Sequence, residues 1–192
     1  MRPINILALV LVMLGVFAVL HYTLPQRDVV RIVNTDVRRM DFGWNAIFYA
    51  GADGGDAAGQ NRDIRFIETV DPDGSPMVYR NEDTGWGWPF YFKFDSADLQ
   101  ARAADLVSNR DAPVWVAVTH YGWRSRLLSA FPNATAIRVV DGPDVRFFPW
   151  PMVLALGGIV LVVLLLWRLA QIVWRNTVGP LFGKGRGRGD DA

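Results

Sequence analysis

One of the two histidines, His120, is the residue of this sequence best suited to acid–base chemistry. It follows an apolar, β-branched segment and adjoins Tyr121 and Trp123. A general base needs a partner that orients it and a nucleophile or substrate within hydrogen-bond reach. The candidate partners are the acidic residues Asp36, Asp41, Glu82 and Asp83. Their spacing places none of them beside His120, so a hydrogen-bonded structural histidine is the preferred interpretation.

Composition argues against several other kinds of site. The chain has no cysteine, so disulfides, thiolate zinc sites and iron–sulfur clusters are excluded. No glycine-rich phosphate loop, G-x-S-x-G motif or metal-ligand spacing is present. Residues 26–149 carry fourteen basic and seventeen acidic side chains, which gives no electrostatic reason to bind nucleic acid. We therefore expect a protein that is not an enzyme, uses no cofactor or metal and does not bind nucleic acid.

An aromatic residue occupies every second position from Trp86 to Phe94. In an extended chain these side chains would share one face, which could stack on sugar rings, bases or apolar ligands, or dip into the surface of a bilayer. They could equally fill the core of a small domain, which is the preferred interpretation for Phe90, Phe92 and Phe94. Trp86 and Trp88 lie among glycines, so surface exposure stays open for them. The candidate ligand-binding residues are Trp86, Trp88, Tyr91, His120 and Trp123.

The elements that position these residues are mainly strands. Alternating or β-branched patterns predict strands over 27–33, 63–70, 77–80, 114–119, 124–128 and 135–140, with a turn at 71–74. Asp95 can cap a helix whose apolar stripe contains Leu99, Ala103, Leu106 and Val107. One helix among strands predicts an α+β domain, most simply an OB-like β-barrel.

Two apolar runs, 4–20 and 147–167, flank that domain. At about 1.5 Å rise per residue each approaches the ~30 Å thickness of the hydrocarbon core of a bilayer. The sequence therefore predicts two transmembrane helices around the domain. A cleaved signal peptide is the alternative for the first run. Gly157 and Gly158 in the second run would let another helix approach closely, and they are the predicted helix-packing residues.

Basic residues predict the orientation of the chain. Arg168, Arg175, Lys184, Arg186 and Arg188 follow the second run, which marks this end as cytoplasmic. The predicted organisation is a cytoplasmic N-terminus (1–3), a first span (4–22), a periplasmic α+β domain (26–146), a second span (147–169) and a basic, Gly-rich cytoplasmic tail (170–192). With a bacterial origin, the location would be the inner membrane.

Three segments carry a resemblance to a known family: 80–84 (RNEDT), 88–96 (WPFYFKFDS) and 120–124 (HYGWR). Together they resemble an uncharacterised family of small bacterial inner-membrane proteins, classed only as a domain of unknown function. The resemblance extends from about residue 21 to the second apolar run. It implies bacterial origin and membrane residence, and it supplies no activity, substrate or catalytic residue.

Two classes of function follow from these observations. In the first, the protein is a non-catalytic membrane component whose domain and spans associate with the bilayer and with other membrane or envelope proteins. In the second, the domain binds a small extracytoplasmic ligand, such as a saccharide or a lipid headgroup, on its aromatic face. An exposed aromatic patch inside a concave groove would favour the second class, whereas a flat apolar patch continuous with the membrane faces would favour the first.

Overall fold

The computed structural model describes residues 3–40 and 62–173. Its elements are α1 (Pro3–Thr23), β1 (Gln26–Met40), β2 (Arg62–Val70), β3 (Pro76–Asn81), α2 (Ser96–Asp105), β4 (Trp115–Tyr121), β5 (Asn133–Val139) and α3 (Trp150–Val173). The chain divides into one unit that ends at Pro149 and a second that begins at Trp150. Asp41, the predicted N-terminal residues 1–2 and the tail from residue 174 lie outside the described residues.

The five strands form one mixed sheet that closes on itself. The strand order is β1-β2-β3-β5-β4, and β4 pairs again with β1. Strand β1 pairs with both neighbours because it is long. Its first part pairs with β4, and its later part, from Arg31 onward, pairs with β2 with a register shift between Ile32 and Asn34. All pairings are antiparallel except that of β3 with β5, which meet at Arg80 and Asn133.

Alternation along the strands sets the core. Every second residue of β1 and β4 faces inward, as Val30, Ile32, Val116 and Val118 show by their complete burial. Helix α2 adds Leu99 and Ala103 to the same cluster. The remaining members of this cluster are Ile67, Tyr79, Ala134 and Ile137.

Five of the six predicted strands are confirmed, as is the turn between β2 and β3. Gly74 adopts a φ of +88° in that turn, a conformation that glycine reaches without steric cost. The predicted strand at 124–128 is wrong, because this segment forms turns with only an isolated bridge between Ser125 and Ala130. A β-branched residue is absent from 124–128, so nothing there favours the extended conformation.

Helix α2 is confirmed, but the predicted side-chain cap is wrong. Asp95 occupies the N-cap position without forming a side-chain hydrogen bond to the helix. Asp83, which precedes the aromatic run, accepts instead from the backbone N–H and the hydroxyl of Ser96, at 2.9 and 2.8 Å. A carboxylate from another segment thus satisfies the first turn of α2.

The predicted fold class, two spans flanking an OB-like domain with one helix, needs correction. Only Trp150–Ile172, with a mean hydropathy of 2.5, is long and apolar enough to cross a membrane among the described residues. In α1 the corresponding apolar stretch is Val10–Thr23, which extends over about 21 Å and falls short of the ~30 Å hydrocarbon core. The described chain has three helices and one mixed five-stranded sheet, with one candidate span instead of two.

Candidate functional site

His120 is paired with an acidic residue that sequence spacing did not suggest. Its Nε2 lies 2.8 Å from Oδ2 of Asp28, and the hydroxyl of Tyr79 donates a hydrogen bond of 2.7 Å to the same oxygen. Neither ring nitrogen of His120 makes a hydrogen bond within the described residues, so this contact is a close approach of the imidazole to the Asp28 carboxylate. The rings of Tyr79 and His120 lie 5.2 Å apart.

Tyr79 and His120 are buried, whereas the side chain of Asp28 is 40% exposed, and these surroundings shift the pKa values of Asp28 and Tyr79. Burial would raise the pKa of the Asp28 carboxyl, but its contacts with His120 and Tyr79 outweigh burial and hold the pKa below its usual value. Burial and the Asp28 carboxylate both raise the pKa of Tyr79. Tyr79 is therefore a poor acid or nucleophile, and Asp28 keeps its charge. The trio orients a histidine but supplies it with no activated nucleophile.

A second buried polar group lies around the end of β3. The guanidinium of Arg80 donates a 2.6 Å hydrogen bond to Glu82, and both side chains are buried. Asn133 accepts from the backbone N–H of Glu82 at 2.9 Å and donates to its carbonyl at 3.0 Å. Asn133 also contacts the hydroxyl of Tyr121 at 3.0 Å. These polar atoms are engaged in holding β3 to β5.

Lys93 connects the aromatic run to the polar residues around the end of β3. Its ammonium is buried and donates to Oδ1 of Asn81 and to the carbonyl oxygen of Ala134, the latter at 2.7 Å. Burial lowers the pKa of Lys93 to about 8, although the carboxylates of Asp83 and Asp95 oppose this shift. The ammonium of Lys93 is therefore used to hold Asn81 and Ala134 of the domain in place.

The aromatic run is an irregular loop, and its three phenylalanines lie on the outside of the domain instead of in its core. Backbone hydrogen bonds from Thr84 and Gly85 to the carbonyl of Lys93 close the loop. Lys93 turns inward, while Phe92, which adopts a φ of +50°, turns outward. The prediction that the three phenylalanines are core is wrong, since Phe90, Phe92 and Phe94 are 65%, 51% and 59% exposed.

These three rings and Trp86, which is 78% exposed, form what we call the aromatic patch. Trp86 contacts Phe92 and Phe94 with ring centroids 5.4 and 6.0 Å apart. Phe90 lies on Phe92 at 6.2 Å. The patch is thus a contiguous apolar surface of the kind that marks an interaction site.

A separate aromatic cluster surrounds Tyr22 in the last turn of α1. Trp88 stacks on Tyr22 at 6.1 Å, and Trp123 meets it edge-on at 5.4 Å. Tyr91 stacks on Tyr121 at 4.7 Å and donates a 2.6 Å hydrogen bond to the carbonyl of Thr23 in α1. This cluster fixes the aromatic loop to the end of α1.

The five predicted ligand-binding residues do not converge on one site. Trp88, Tyr91 and Trp123 belong to the cluster around α1, Trp86 belongs to the aromatic patch, and His120 is buried beside Asp28. Of the proposed partners of His120, the three that the structure describes do not pair with it: Asp36 contacts Arg38, Glu82 contacts Arg80, and Asp83 caps α2.

Asp28 is the functional residue that sequence reasoning missed, and a signal for it existed. It shares its face of β1 with Val30 and Ile32, so alternation alone predicts that it points inward. An inward carboxylate requires a partner, and an inward histidine on another strand can provide one. Residues 3–40 and 62–173 contain no group of three or more His, Cys, Asp or Glu side chains suited to a metal ion.

Fold and site together define a small α+β domain with a polar group inside a closed sheet and an aromatic surface outside, followed along the chain by one helix able to cross a membrane. The chain belongs to the family described as protein of unknown function (DUF1523), whose model matches residues 1–176. An uncharacterized protein from Haemophilus influenzae is 41% identical over 128 residues, which is 67% of this chain and 69% of that protein. No solved structure matches the chain. The resemblance to an uncharacterised family is confirmed.

Proposed function

We propose that this protein is a non-catalytic component of a bacterial inner membrane, held there by α3, which acts by associating with other membrane or envelope proteins. The observation that carries the proposal is the uncovered apolar surface of α3. Its leucines and valines are exposed, and the window that qualifies it as a span is 0% buried. In water such a helix would lose the hydrophobic stabilisation that lipid or another helix provides.

Gly157 and Gly158 give α3 a place where a second helix can pack. A Cβ added at either glycine would meet no atom within 4 Å, so this part of the helix surface is open in the described unit. Transmembrane helices associate where small residues let their backbones come close, because apolar contact alone does not favour protein over lipid. Gly157 and Gly158 are therefore the proposed packing residues.

The contacts of the buried polar side chains support the proposal that the protein is non-catalytic. His120 and Asp28 contact each other, and Tyr79, whose hydroxyl is held by Asp28, has a pKa raised by burial. Arg80, Lys93 and their acceptors hold strands and the aromatic loop together. The small-ligand alternative is supported less well, because its five candidate residues lie in three different surroundings.

Co-purification in a mild detergent tests the association. Gly157→Leu combined with Gly158→Leu should lower the recovery of membrane partners severalfold, because added bulk keeps helices apart. Val163→Phe adds bulk on the opposite side of α3 and should leave recovery unchanged. His120→Ala should also leave it unchanged when the protein accumulates normally. Loss of a cellular phenotype with His120→Ala at normal abundance would instead indicate an enzyme or a histidine-dependent ligand site.

Orientation is tested by fusion to alkaline phosphatase, which is active only in the periplasm. With α3 as the span and the basic end cytoplasmic, alkaline phosphatase inserted after Gly59 of the full chain should be active, and a fusion after Arg188 should be inactive. The domain would then face the periplasm. Opposite activities would reverse this orientation. The cytoplasmic location of residues 1–3 stays a prediction, because it was derived from two spans.

A further inference from the structure

The aromatic patch offers a rigid apolar surface that the described residues leave uncovered. Its four rings are all more than half exposed, yet they contact one another. The loop that carries them is closed at its base by hydrogen bonds between Thr84 and Lys93: the backbone N–H of Thr84 donates to the carbonyl of Lys93, and the backbone N–H of Lys93 donates to the hydroxyl of Thr84. Its conformation is therefore fixed before any partner binds, which lowers the entropic cost of binding.

The exposed side chains of the loop itself carry no charge, and the first exposed carboxylate after it is that of Asp95. Between Gly85 and Phe94 the only charged side chain is Lys93, and it is 5% exposed and bonded to Asn81 and Ala134. Binding through ionic contacts to anionic headgroups or to a charged protein surface would need exposed basic or acidic side chains. The patch instead suits an apolar environment that accepts Trp and Phe rings, such as the boundary between headgroups and acyl chains.

The position of the loop on α1 identifies that environment. Trp88 stacks on Tyr22, and Tyr91 donates to the carbonyl of Thr23, so the loop is fixed to the last turn of α1. Helix α1 is apolar on all sides and exposes residues such as Leu11 and Leu14, which require apolar surroundings. Because α3 is proposed to hold the chain in the membrane, lipid is the apolar environment available to this loop.

We propose that the aromatic patch inserts into the surface of the bilayer, with Trp86 and Phe92 at the level of the boundary between headgroups and acyl chains. This proposal rests on the proposed function only in that α3 holds the chain in the membrane. Its partner is lipid, and a protein or a saccharide on the same rings would contradict it.

Labelling at a single cysteine can test insertion, because the natural chain contains none. The full chain with Phe90→Cys is coupled to bimane and reconstituted in phosphatidylcholine vesicles whose acyl chains are brominated. Phe90 lies at the edge of the patch and contacts only one other ring of it, Phe92, so this change leaves the remaining rings in place. Ala104→Cys on the exposed side of α2 is the matched control.

Insertion predicts that bromine removes at least about half of the emission at position 90 and leaves position 104 nearly unchanged. Equal quenching at both positions, or none at position 90, would overturn the proposal. An apolar emission spectrum at position 90 without bromine quenching would overturn it too, because it would show burial against protein. A label at Trp86→Cys repeats the measurement should the first variant fail to fold.

Further substitutions in the labelled Phe90→Cys variant test whether the aromatic rings are the part that inserts. Trp86→Ser, Phe92→Ser and Phe94→Ser together should abolish quenching at position 90, whereas the thermal unfolding of the domain should change little because these side chains are exposed. Persistent quenching in this background would show that the patch is not the inserting surface. Co-purification through α3 should be unaffected, so failure of insertion and failure of the proposed function are separate results.

Discussion

Replacing Arg80 by methionine should lower the free energy of unfolding by about 3–5 kcal/mol, the range expected when one member of a buried ion pair is removed. Arg80 and Glu82 are 2% and 9% exposed and are joined by a 2.6 Å hydrogen bond. Methionine fills much of the same volume but leaves the Glu82 carboxylate without the guanidinium. The measurement is urea unfolding of the full chain in detergent at pH 7.

Two further variants separate the lost ion pair from lost packing. Arg80→Met with Glu82→Leu should recover much of the stability, because neither charge then remains buried. Arg38→Met removes a guanidinium that pairs with Asp36 at the surface, and it should cost less than about 1 kcal/mol. Equal losses for Arg80→Met and Arg38→Met would show that the Arg80 pair is not desolvated.

Local pattern predicted most of the sheet because strand periodicity is a local property. Alternation identified five strands, and proline and glycine identified the turn between β2 and β3. The extent of β1 could not be read in this way. Its second part contains Asp36 and Arg38, which look like loop residues, yet it pairs with β2 and places Arg38 beside Glu68. Pairing with a distant strand extended β1 beyond its apolar part.

The aromatic loop shows where periodicity stops being sufficient. Alternation correctly separated Trp86, Phe92 and Phe94 from the residues between them, but it could not tell which side would be buried. That outcome depends on Lys93, whose acceptors Asn81 and Ala134 are 12 and 41 positions away in sequence. A buried ammonium with two acceptors was a less obvious core residue than a phenylalanine, and only tertiary contacts reveal it.

Long-range pairing also explains which part of the candidate site was predictable. The sequence offered Asp36, Asp41, Glu82 and Asp83 as partners of His120 and placed none of them beside it. Strand β4 pairs with β1, so the nearby carboxylate is that of Asp28. The hydrogen bond from Ser96 to Asp83 also depends on tertiary structure, because it forms only when the two ends of the aromatic loop lie close together. The sequence predicted that a carboxylate would be the partner of His120, but the pairing of β4 with β1 determines which carboxylate it is.

The stability contributed by Lys93 should depend on pH in a window that its pKa defines. The folded protein holds this pKa at about 8, below the ordinary value of 10.5, because the ammonium is buried. Below pH 8 the lysine is charged in both states, and the folded state bears the cost of burying that charge. Between pH 8 and 10.5 only the unfolded chain binds the proton, so stability must rise with pH.

Comparison with Lys93→Met isolates this effect. From pH 8 to pH 10.5 the free energy of unfolding of the natural chain should rise by about 3 kcal/mol relative to the variant, as a shift of about 2.5 pKa units requires. Buried tyrosines such as Tyr79 titrate alike in both proteins, and their contributions cancel in the difference. Urea unfolding at half-unit pH steps measures it. A difference that stays constant across the window would mean that Lys93 keeps an ordinary pKa, and that its two acceptors and the surrounding carboxylates fully compensate for its burial.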